Sequence, residues 1–556
     1  MKKIIKLPIL LVLFLGFTFT SCETTDLNLL DDPNNITLDK ADLNRYLTAI
    51  QLDFRSFINR TGSRGSELTR INYMFGRTYA NNYQPVSSNG MWADAYQNMF
   101  SDMVQAENIA SELGENNHIG VIKILKGYTL MTLVDFFGDV PYSEATQPVE
   151  FPFPNVDPGS SVYAAAINLL DEGIALLNSN TGNGLEIDFY YNNDFSKWIK
   201  AANTMKMAAY LNTRLVDSDA SSKFNAIVNS GNWISETADD FEFKYGTNVT
   251  DPNTRHPEYD SDYTATGAGD YRSNWLMNNM LQDNDPRIRF YFFRQWPCTP
   301  NSIGADGNYC EPDQQRLICS TQARPPHYSA DMIFCSVDNG YWGRDHGNAE
   351  GIPPDNFRRS VIGVYPAGGK FDGDEFTSIN IGVGGGGAGI TPVLLASWSH
   401  LMVAEMALVS GNTGSAATHL QHSLDRSVAK VVSFASLDAE ANTAFIPTSA
   451  DIGSFITTKI GEFNSANLDG KWDILATQQF VAHYGNGIDS YNMYRRTGYP
   501  TSLQFNVEPS SGNFIRSFLY PSNEADVNSN ISQKPNVDVQ VFWDNNPASP
   551  GFPFAN

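Results

Sequence analysis

The sequence is short of positive charge. Its 556 residues include 37 Lys and Arg against 61 Asp and Glu, which gives a formal net charge of −24 at pH 7. Phosphate binding requires clustered Lys and Arg, so this balance argues against nucleic acid as a partner. It argues equally against a polybasic contact with a membrane surface. The charge balance leaves a neutral ligand or a protein as the expected binding partner.

Catalytic motifs are also scarce. The sequence has no HExxH, no GxSxG, no Walker loop and no GxGxxG framed by a strand and a helix. Carboxylate pairs suited to glycoside hydrolysis stay open, because the many acidic residues, among them Glu258, Asp283 and Asp285, offer many pairs. We therefore expect no enzymatic activity, with a surface glycosidase as an alternative.

Long apolar runs are missing after residue 21, where no stretch approaches the roughly 18 residues typical of a membrane-spanning helix. The one N-terminal run, Leu7–Phe19, follows three lysines and precedes FTSC, a tetrapeptide that resembles a bacterial lipobox. This layout predicts that residues 1–21 are a signal peptide, that Cys22 is the acylated mature N-terminus and that residues 22–38 include a tether. An ordinary signal peptide with a chance cysteine is the alternative.

Cysteine is rare, and the other four cysteines, at positions 298, 310, 319 and 335, fall within one irregular segment rich in Pro, Gly and polar residues. Disulfides persist in exported proteins. A zinc site is the rival interpretation, but the segment has no CxxC knuckle. Four cysteines allow three pairings, and we predict the neighbour pairing, Cys298–Cys310 and Cys319–Cys335.

Helical periodicity is abundant. In residues 39–58 apolar side chains such as Leu43, Leu47, Ile50 and Phe54 recur at steps of three and four, which predicts an amphipathic helix that needs a covering neighbour. The same pattern recurs at 92–113, 118–137, 160–178 and 194–216, and again after Pro392. Short polar links such as GENNH predict antiparallel hairpins. The expected fold is mainly α, and its stacked helix pairs resemble tetratricopeptide repeats without a strict 34-residue period.

The middle of the chain, residues 220–390, is dominated by Gly, Pro, Asn and aromatic residues. So long an irregular connection is improbable unless it carries function, so we expect a large, loop-rich, ligand-facing region. We predict one domain, 39–556, with a helical scaffold at 39–220 and 391–495 and a C-terminal segment at 496–556.

Aromatic residues in three loops suggest a sugar-binding platform. The loops are GRTYANNYQP (76–85), TGAGDYRSNW (266–275) and NGYWGRDHGN (339–348). A flat ring covers the apolar face of a sugar, and polar side chains satisfy its hydroxyls. The alternative is that these rings fill the core beneath the loops. The predicted ligand contacts are Tyr79, Asn81, Tyr83, Tyr271, Arg272, Trp275, Tyr341, Trp342 and Arg344, whereas Trp92 and Trp398 lie on helical stripes and are assigned to the core.

Metal-binding patterns are weak. His419 and His422 stand three residues apart on a predicted helix without an evident fourth ligand, which favours a solvated helix face. The acidic stretch TADDFEF (237–243) could offer oxygen ligands to calcium but lacks the EF-hand pattern. We expect no cofactor, with calcium possible but unassigned.

Several ordered motifs resemble the SusD/RagB family. They are DLNLLDDPNN after the lipobox-like start, MWADAYQNMF (91–100), FFGDVPYSEA (136–145), DNDPRIRFYF (283–292), LLASWSHLMVAEMALVSG (394–411), RRTGYP (495–500) and FIRSFLYPSNEADVNSN (514–530). Together they cover nearly the whole mature chain. Trp398 and His400 interrupt the usual alanine–glutamate helix, and the cysteine-bearing insertion lies outside the common pattern.

The resemblance implies an α-helical fold with four tetratricopeptide-like hairpins and a variable loop-rich face. It implies a cell-surface lipoprotein, attached to the outer membrane only through its lipid anchor, that binds an oligosaccharide or polysaccharide and delivers it to a SusC-like TonB-dependent transporter. Some relatives take peptides, so a peptide-capture protein is the alternative. No family motif transfers binding residues to numbered positions, so the nine predicted contacts depend on the loop argument alone.

Overall fold

The computed structural model describes residues 42–312, 319, 322–349 and 358–546. The predicted signal peptide, Cys22 and the tether lie outside these residues.

Twelve longer helices make up most of the regular structure within the described residues. They are α1 (Leu43–Leu68), α2 (Phe100–Leu113), α3 (Asn116–Phe137), α4 (Gly159–Ser179), α5 (Phe195–Thr213), α6 (Ala220–Ser230), α7 (Asn274–Gln282), α8 (Ala396–Val409), α9 (Thr413–Ser433), α10 (Ser449–Ser465), α11 (Leu468–Ala482) and α12 (Ile488–Thr497). Short helical turns lie at Tyr79–Asn82, Pro85–Ser88, Asn89–Trp92, Ala93–Met99, Thr237–Asp239, Pro257–Asp262, Ile288–Tyr291, Phe434–Leu437, Thr443–Phe445 and Ser522–Ala525. The mainly α prediction is confirmed.

Antiparallel helix pairs form the scaffold, as the periodicity predicts. The link between α2 and α3 is short because Gly114 adopts a left-handed conformation that ends α2. Helices α3 and α4 approach closely through glycine: a Cβ on Gly127 would lie 2.9 Å from the backbone oxygen of Ala166. A larger residue there would push the two helices apart.

One buried ion cluster ties distant helices together. Glu405, in the largely apolar helix α8, accepts hydrogen bonds of 2.8 and 2.6 Å from Arg496 of α12. Arg214, after α5, lies 3.3 Å from the same carboxylate. Burial raises the pKa of Glu405, but the two guanidinium groups outweigh it and hold that pKa below its ordinary value. An ionised glutamate therefore fits within this core.

The middle region is largely irregular, as predicted, but it contains α6, α7 and four short strands. β1 (Phe241–Lys244) pairs antiparallel with β4 (Ile390–Leu394), and β2 (Phe292–Phe293) pairs antiparallel with β3 (Val361–Ile362). The cysteines form the neighbour-paired disulfides Cys298–Cys310 and Cys319–Cys335.

The acidic residues at 237–243, which could offer oxygen ligands to calcium, have lysine partners. Lys200 Nζ lies 2.8 Å from Asp239, and Lys430 Nζ lies 2.7 Å from Asp240 and 2.6 Å from Glu242. Two of the protein's own ammonium groups therefore offset most of the negative charge of these three carboxylates.

His419 and His422 do not form the solvated face that their spacing suggests. Both are half-buried, because their rings face the buried His400 of α8, with ring centroids 5.2 and 5.1 Å from its own. The Nδ1 atoms of His400 and His419 are 2.9 Å apart, and His400 Nε2 lies 3.2 Å from the carbonyl oxygen of Ser235. Among the described residues, no group of three or more His, Cys, Asp or Glu is arranged to hold a metal ion.

The His400→Gln variant should resist acid better than the parent protein. Burial, with help from Arg426, lowers the pKa of His400 to about 3. Between pH 6.5 and 3 the unfolded chain therefore binds a proton that the folded chain refuses, and the free energy of unfolding falls as the pH falls. At pH 5 this contribution is about 2 kcal/mol.

Glutamine stays neutral and can still donate to the Ser235 carbonyl. Chemical unfolding at pH 7 and pH 5 should show a smaller loss of stability for His400→Gln than for the parent. Equal losses would contradict the assignment of this acid sensitivity to His400.

Candidate functional site

A cleft of about 350 Å³ opens beside the C-terminal half of α1. Most of the residues that line it are polar or charged. Helix α1 contributes Asn59, Arg60, Ser63, Arg64, Ser66 and Glu67, and the rest comes from residues between 72 and 91, from His256, Pro257 and Glu258, and from Gly485. These α1 residues lie beyond the predicted helix 39–58, because the polar face that they form interrupts the apolar pattern used to place the helix end.

The α1 wall carries two ion pairs. Arg60 and Arg64 are four residues apart and therefore share one face of the helix. Arg60 Nε donates to Asp94 at 2.8 Å, and Arg64 Nη1 donates to Glu67 at 3.0 Å. The Arg60 side chain is 58% exposed, so its remaining N–H groups are accessible from solvent. This wall offers guanidinium donors in fixed positions.

Tyr83 supports this wall from the protein interior. Its hydroxyl donates to Glu67 at 3.0 Å, and the Arg64 guanidinium lies 5.5 Å from its ring centroid. Burial raises the pKa of Tyr83 well above its ordinary value, so the phenol stays protonated and donates at physiological pH.

Another part of the cleft lining comes from the short helix Pro257–Asp262 and from His256, which precedes it. His256 caps it, with Nδ1 accepting the backbone N–H of Glu258 at 3.1 Å. Burial lowers the pKa of His256 to about 3, which keeps the ring neutral and able to accept. Arg272 donates to Glu258 at 3.1 Å and to the buried Asp262 at 2.8 Å. The cleft thus combines guanidinium, carboxyl, amide and hydroxyl groups.

Eight of the nine predicted ligand contacts are buried. They are Tyr79, Tyr83, Tyr271, Arg272, Trp275, Tyr341, Trp342 and Arg344. These side chains pack against the protein's own groups instead of forming an open platform, and their contact with a ligand stays a prediction. Asn81 is exposed, and its contact with a ligand stays a prediction.

The three predicted loops nevertheless come together. The backbone of Asn274 donates to Arg344 O at 3.0 Å, and Tyr79 packs on His346 with ring centroids 5.9 Å apart. The guanidinium carbon of Arg344 lies 4.0 Å from the ring centroid of Tyr271. Tyr83 holds Glu67 and Arg272 holds Glu258, and both of these carboxylates line the cleft.

The remaining predicted contacts have internal partners. Trp275 Nε1 donates to Ser502 O at 2.8 Å, and the guanidinium of Arg294 lies 4.8 Å from the ring centroid of Tyr341. Trp342 packs with Cys319 and Cys335 in a small buried cluster. These rings are the core of the loop region, which is the alternative that the sequence left open.

Exposed aromatic residues occur at positions that the sequence argument missed. Trp296 is 36% exposed, with the Arg358 guanidinium 3.6 Å from its ring centroid, and Tyr309 is 55% exposed. Phe75 is exposed three residues after Asn72, which lines the cleft. The signal was available, since Trp296 stands two residues before Cys298 and Tyr309 directly before Cys310, where a disulfide restrains the chain.

Comparison with known families covers most of the chain. A family model described as "Starch-binding associating with outer membrane" (SusD-like) matches residues 33–338. A second, described as "Susd and RagB outer membrane lipoprotein", matches residues 393–540. The first match alone spans more than half of the chain.

The chain belongs to the SusD/RagB family. The family assignment predicted from the motifs is therefore confirmed, and with it an outer-membrane, nutrient-binding class of proteins. Among curated proteins none matches the chain.

Solved structures of SusD/RagB proteins share the fold. A chitin-binding protein is 20% identical, with a TM-score of 0.63, covering 91% of this chain and 100% of its own. A SusD/RagB family protein from Bacteroides thetaiotaomicron is 16% identical with a TM-score of 0.66, covering 91% and 100%. A chitin-binding SusD homolog from Flavobacterium johnsoniae is 16% identical with a TM-score of 0.61, covering 90% and 99%. At these identities the likeness extends to the fold only.

Proposed function

We propose that this SusD/RagB protein captures an oligosaccharide at the cell surface and delivers it to a SusC-like TonB-dependent transporter without breaking a bond. The observation that carries the proposal is the cleft on α1, whose lining is mostly hydrogen-bonding side chains. A sugar presents a rim of hydroxyls that both donate and accept, and a mixed lining of guanidinium, carboxyl, amide and hydroxyl groups suits it.

Exposed aromatic side chains, rather than the buried ones, stack on the sugar rings of the ligand. One side of Trp296 is occupied by Arg358, and the ring remains partly open to solvent. Tyr309 and Phe75 are the other candidates. An open ring face covers the C–H face of a sugar without disturbing the core.

The anchor and the partner complete the proposal. Acylation of Cys22 would hold the protein at the outer membrane, in keeping with a family described as outer-membrane lipoproteins. Two chitin-binding relatives of the same fold make chitin oligosaccharides the first ligands to test. Copurification of a transporter barrel with the acylated protein would test the partnership.

Peptide capture is a second candidate, favoured by one feature of the same cleft. Arg60 contributes an exposed guanidinium and Glu258 a partly exposed carboxyl. These groups complement the carboxylate and the ammonium of a short peptide. Glycans and peptides must therefore be titrated side by side.

Calorimetric titration of residues 23–556 should show binding to one glycan class, with no release of reducing ends on prolonged incubation. Arg60→Ala should weaken that binding roughly 10- to 100-fold, since a hydrogen bond to a charged group contributes about 1.5–3 kcal/mol. Some stability should be lost as well, because the partner of Arg60, Asp94, is buried and loses its cation. Binding is therefore measured at a temperature at which the variant is fully folded.

Arg45→Ala is the matched control, because Arg45 is exposed on the same helix and lies outside the cleft lining. Its binding should equal that of the parent. Binding of peptides alone would favour the second candidate, and reducing ends released by the pure protein would reject non-catalytic capture.

A further inference from the structure

A second cleft, with a volume of about 670 Å³, takes its lining from three stretches of the chain. They are the helical residues between 92 and 105, the loop residues between 141 and 154 that follow α3, and the C-terminal residues between 523 and 528. We call it the proline cleft, after four prolines in its loop wall. No residue lines both this cleft and the α1 cleft, although Met91 lines the α1 cleft and Trp92 lines this one.

The loop wall of the proline cleft is held in place by its own hydrogen bonds. Asp157 accepts the backbone N–H groups of Tyr142 and Ser143 at 2.8 and 2.9 Å. Glu144 accepts the backbone N–H of Asn155 at 2.8 Å. A wall fixed before binding loses little conformational entropy when a ligand enters. The prolines, which restrict the backbone further, are Pro141, Pro148, Pro152 and Pro154.

Aromatic side chains supply the apolar surface of the proline cleft. Trp92 and Tyr96 pack together with ring centroids 4.6 Å apart, and the Tyr96 hydroxyl donates to the Pro141 carbonyl at 2.7 Å. These two rings are therefore fixed. On the loop wall Phe153 is 47% exposed and Phe151 is half-buried. An open ring face of this kind can cover the C–H face of a sugar.

Side-chain amides on the helical wall are free to bind a ligand. Gln97 and Gln105 are exposed and line the proline cleft, and their amides have no hydrogen-bond partner among the described residues. Gln97 belongs to a turn of π-helix, Ala93–Met99, and such turns are frequent at functional sites. An amide both donates and accepts, as sugar hydroxyls do.

The proline cleft carries almost no charge. Of the described residues that line it, none is basic and Glu524 alone is acidic, with its Oε1 accepting from the Asn528 amide at 2.9 Å. The α1 cleft, by contrast, has the guanidinium groups of Arg60 and Arg64. Fixed rings, free amides and a near absence of charge suit a neutral ligand with apolar faces and many hydroxyls. The volume lies within the range of roughly 300–1,000 Å³ found for ligand sites.

We propose that the proline cleft is a second carbohydrate site, which binds a neutral oligosaccharide independently of the α1 cleft. Phe153 covers the C–H face of a sugar ring, and Gln97 and Gln105 form hydrogen bonds with its hydroxyls. This second site goes beyond capture at the α1 cleft, because it binds sugar whichever ligand the α1 cleft takes.

A fluorescent label on the loop wall tests this site directly. Val149 is exposed and lies between the lining residues Pro148 and Phe151. Residues 23–556 lack Cys22, and the other four cysteines are paired, so an environment-sensitive fluorophore attaches only to Val149→Cys. Chitohexaose, maltohexaose, cellohexaose and xylohexaose are the neutral probes, and hexagalacturonate is the acidic one. At least one neutral probe should change the emission saturably, and hexagalacturonate should not.

Matched variants assign the signal to the proline cleft. Gln97→Ala with Gln105→Ala and Phe153→Ala should raise the Kd reported by the label roughly 10- to 100-fold, because two hydrogen bonds and one stacking contact are lost. All three side chains are exposed, so the thermal midpoint should stay close to that of the parent. Arg64→Ala, which alters the α1 cleft, should leave the Kd unchanged. A label at Ala175→Cys, exposed on α4 and outside both clefts, should not respond.

Silence of the label with every neutral probe would overturn the proposal, and so would an unchanged Kd in the triple variant. A response abolished by Arg64→Ala would assign all binding to the α1 cleft, and an equal response to hexagalacturonate would reject a neutral ligand. If the probes gave no response but the acylated triple variant lost a copurifying transporter barrel, the cleft would be a protein contact instead. Calorimetric binding unaffected by Arg60→Ala would count against the α1 cleft alone, so the two proposals fail separately.

Discussion

Trp342→Ala should lower the free energy of unfolding by about 3–5 kcal/mol, the range expected when a large aromatic side chain is removed from a core. Trp342 is only 1% exposed and packs with Cys319 and Cys335. Its backbone N–H donates to Ser360 Oγ at 2.9 Å, and its carbonyl accepts from Ser360 N at 2.8 Å. With the segment fixed on both sides, the space left by the indole cannot collapse easily.

Chemical denaturation of the variant and the parent measures this loss. Trp296→Ala is the matched control, because Trp296 is partly exposed and belongs to the same loop region. It should change stability much less than Trp342→Ala but weaken glycan binding. If Trp342→Ala left stability unchanged and abolished ligand binding, the platform predicted from the sequence would be restored.

The contrast between these two tryptophans shows why loop aromatics are hard to assign from sequence. Both stand two residues from an arginine in irregular segments, with Trp296 directly before a proline and Trp342 directly before a glycine. A long loop region without a regular scaffold must build its own core, and aromatic rings fill it, with arginines stacked on them. Tyr271, for example, has the guanidinium carbons of Arg344 and Arg359 each 4.0 Å from its ring centroid. Composition identifies the ring and the cation but not which of them faces solvent.

The helices were predictable because their apolar spacing is a local property. Leu47, Ile50 and Phe54 mark the buried side of α1 without any knowledge of its neighbours. The surroundings of the histidines could not be predicted, since His419 lies against His400 only after α8 and α9 have packed. Local periodicity determines a helix, whereas the surroundings of a polar side chain depend on tertiary contacts.

The cleft depends on tertiary contacts in the same way. Arg64 and Glu67 are neighbours on α1, and their pairing could be inferred from spacing. Glu258 reaches the same cleft from a short helix nearly two hundred residues later, held there by Arg272. The aromatic argument selected Arg272 as a ligand contact, but the structure gives it internal carboxylates. Arg272 therefore supports a residue that lines the cleft, and its direct contact with a ligand stays a prediction.

Arg272→Met should destabilise the protein by about 3–5 kcal/mol, because removing one member of a buried ion pair leaves the other charge uncompensated. The guanidinium is buried and donates to Asp262 at 2.8 Å and to Glu258 at 3.1 Å. Asp262 also accepts the backbone N–H groups of Ile362 and Asp270, so its carboxylate is fixed in place. Glu258 loses its orientation in the cleft, and ligand binding should weaken with the loss of stability.

Lys123→Met is the control for removing a cation, since Lys123 pairs at 2.7 Å with a glutamate that is largely exposed, Glu172. The free energy of unfolding should fall by less than about 1 kcal/mol in Lys123→Met. Adding Asp262→Asn to Arg272→Met should recover part of the stability, because the amide removes the uncompensated charge while its oxygen can still accept backbone hydrogen bonds. Glycan affinity should recover much less, since Glu258 still lacks its guanidinium partner.

The pH dependence gives a separate check on the same charges. Burial raises the pKa of Asp262 and of Glu258, and Arg272 lowers both. Without Arg272 both pKa values rise further, so the folded variant binds protons more readily than the unfolded chain as the pH falls. The stability deficit of Arg272→Met should therefore be largest at neutral pH and shrink toward acidic pH in chemical unfolding. A deficit independent of pH would show that lost packing of the arginine stem, rather than uncompensated charge, causes the destabilisation.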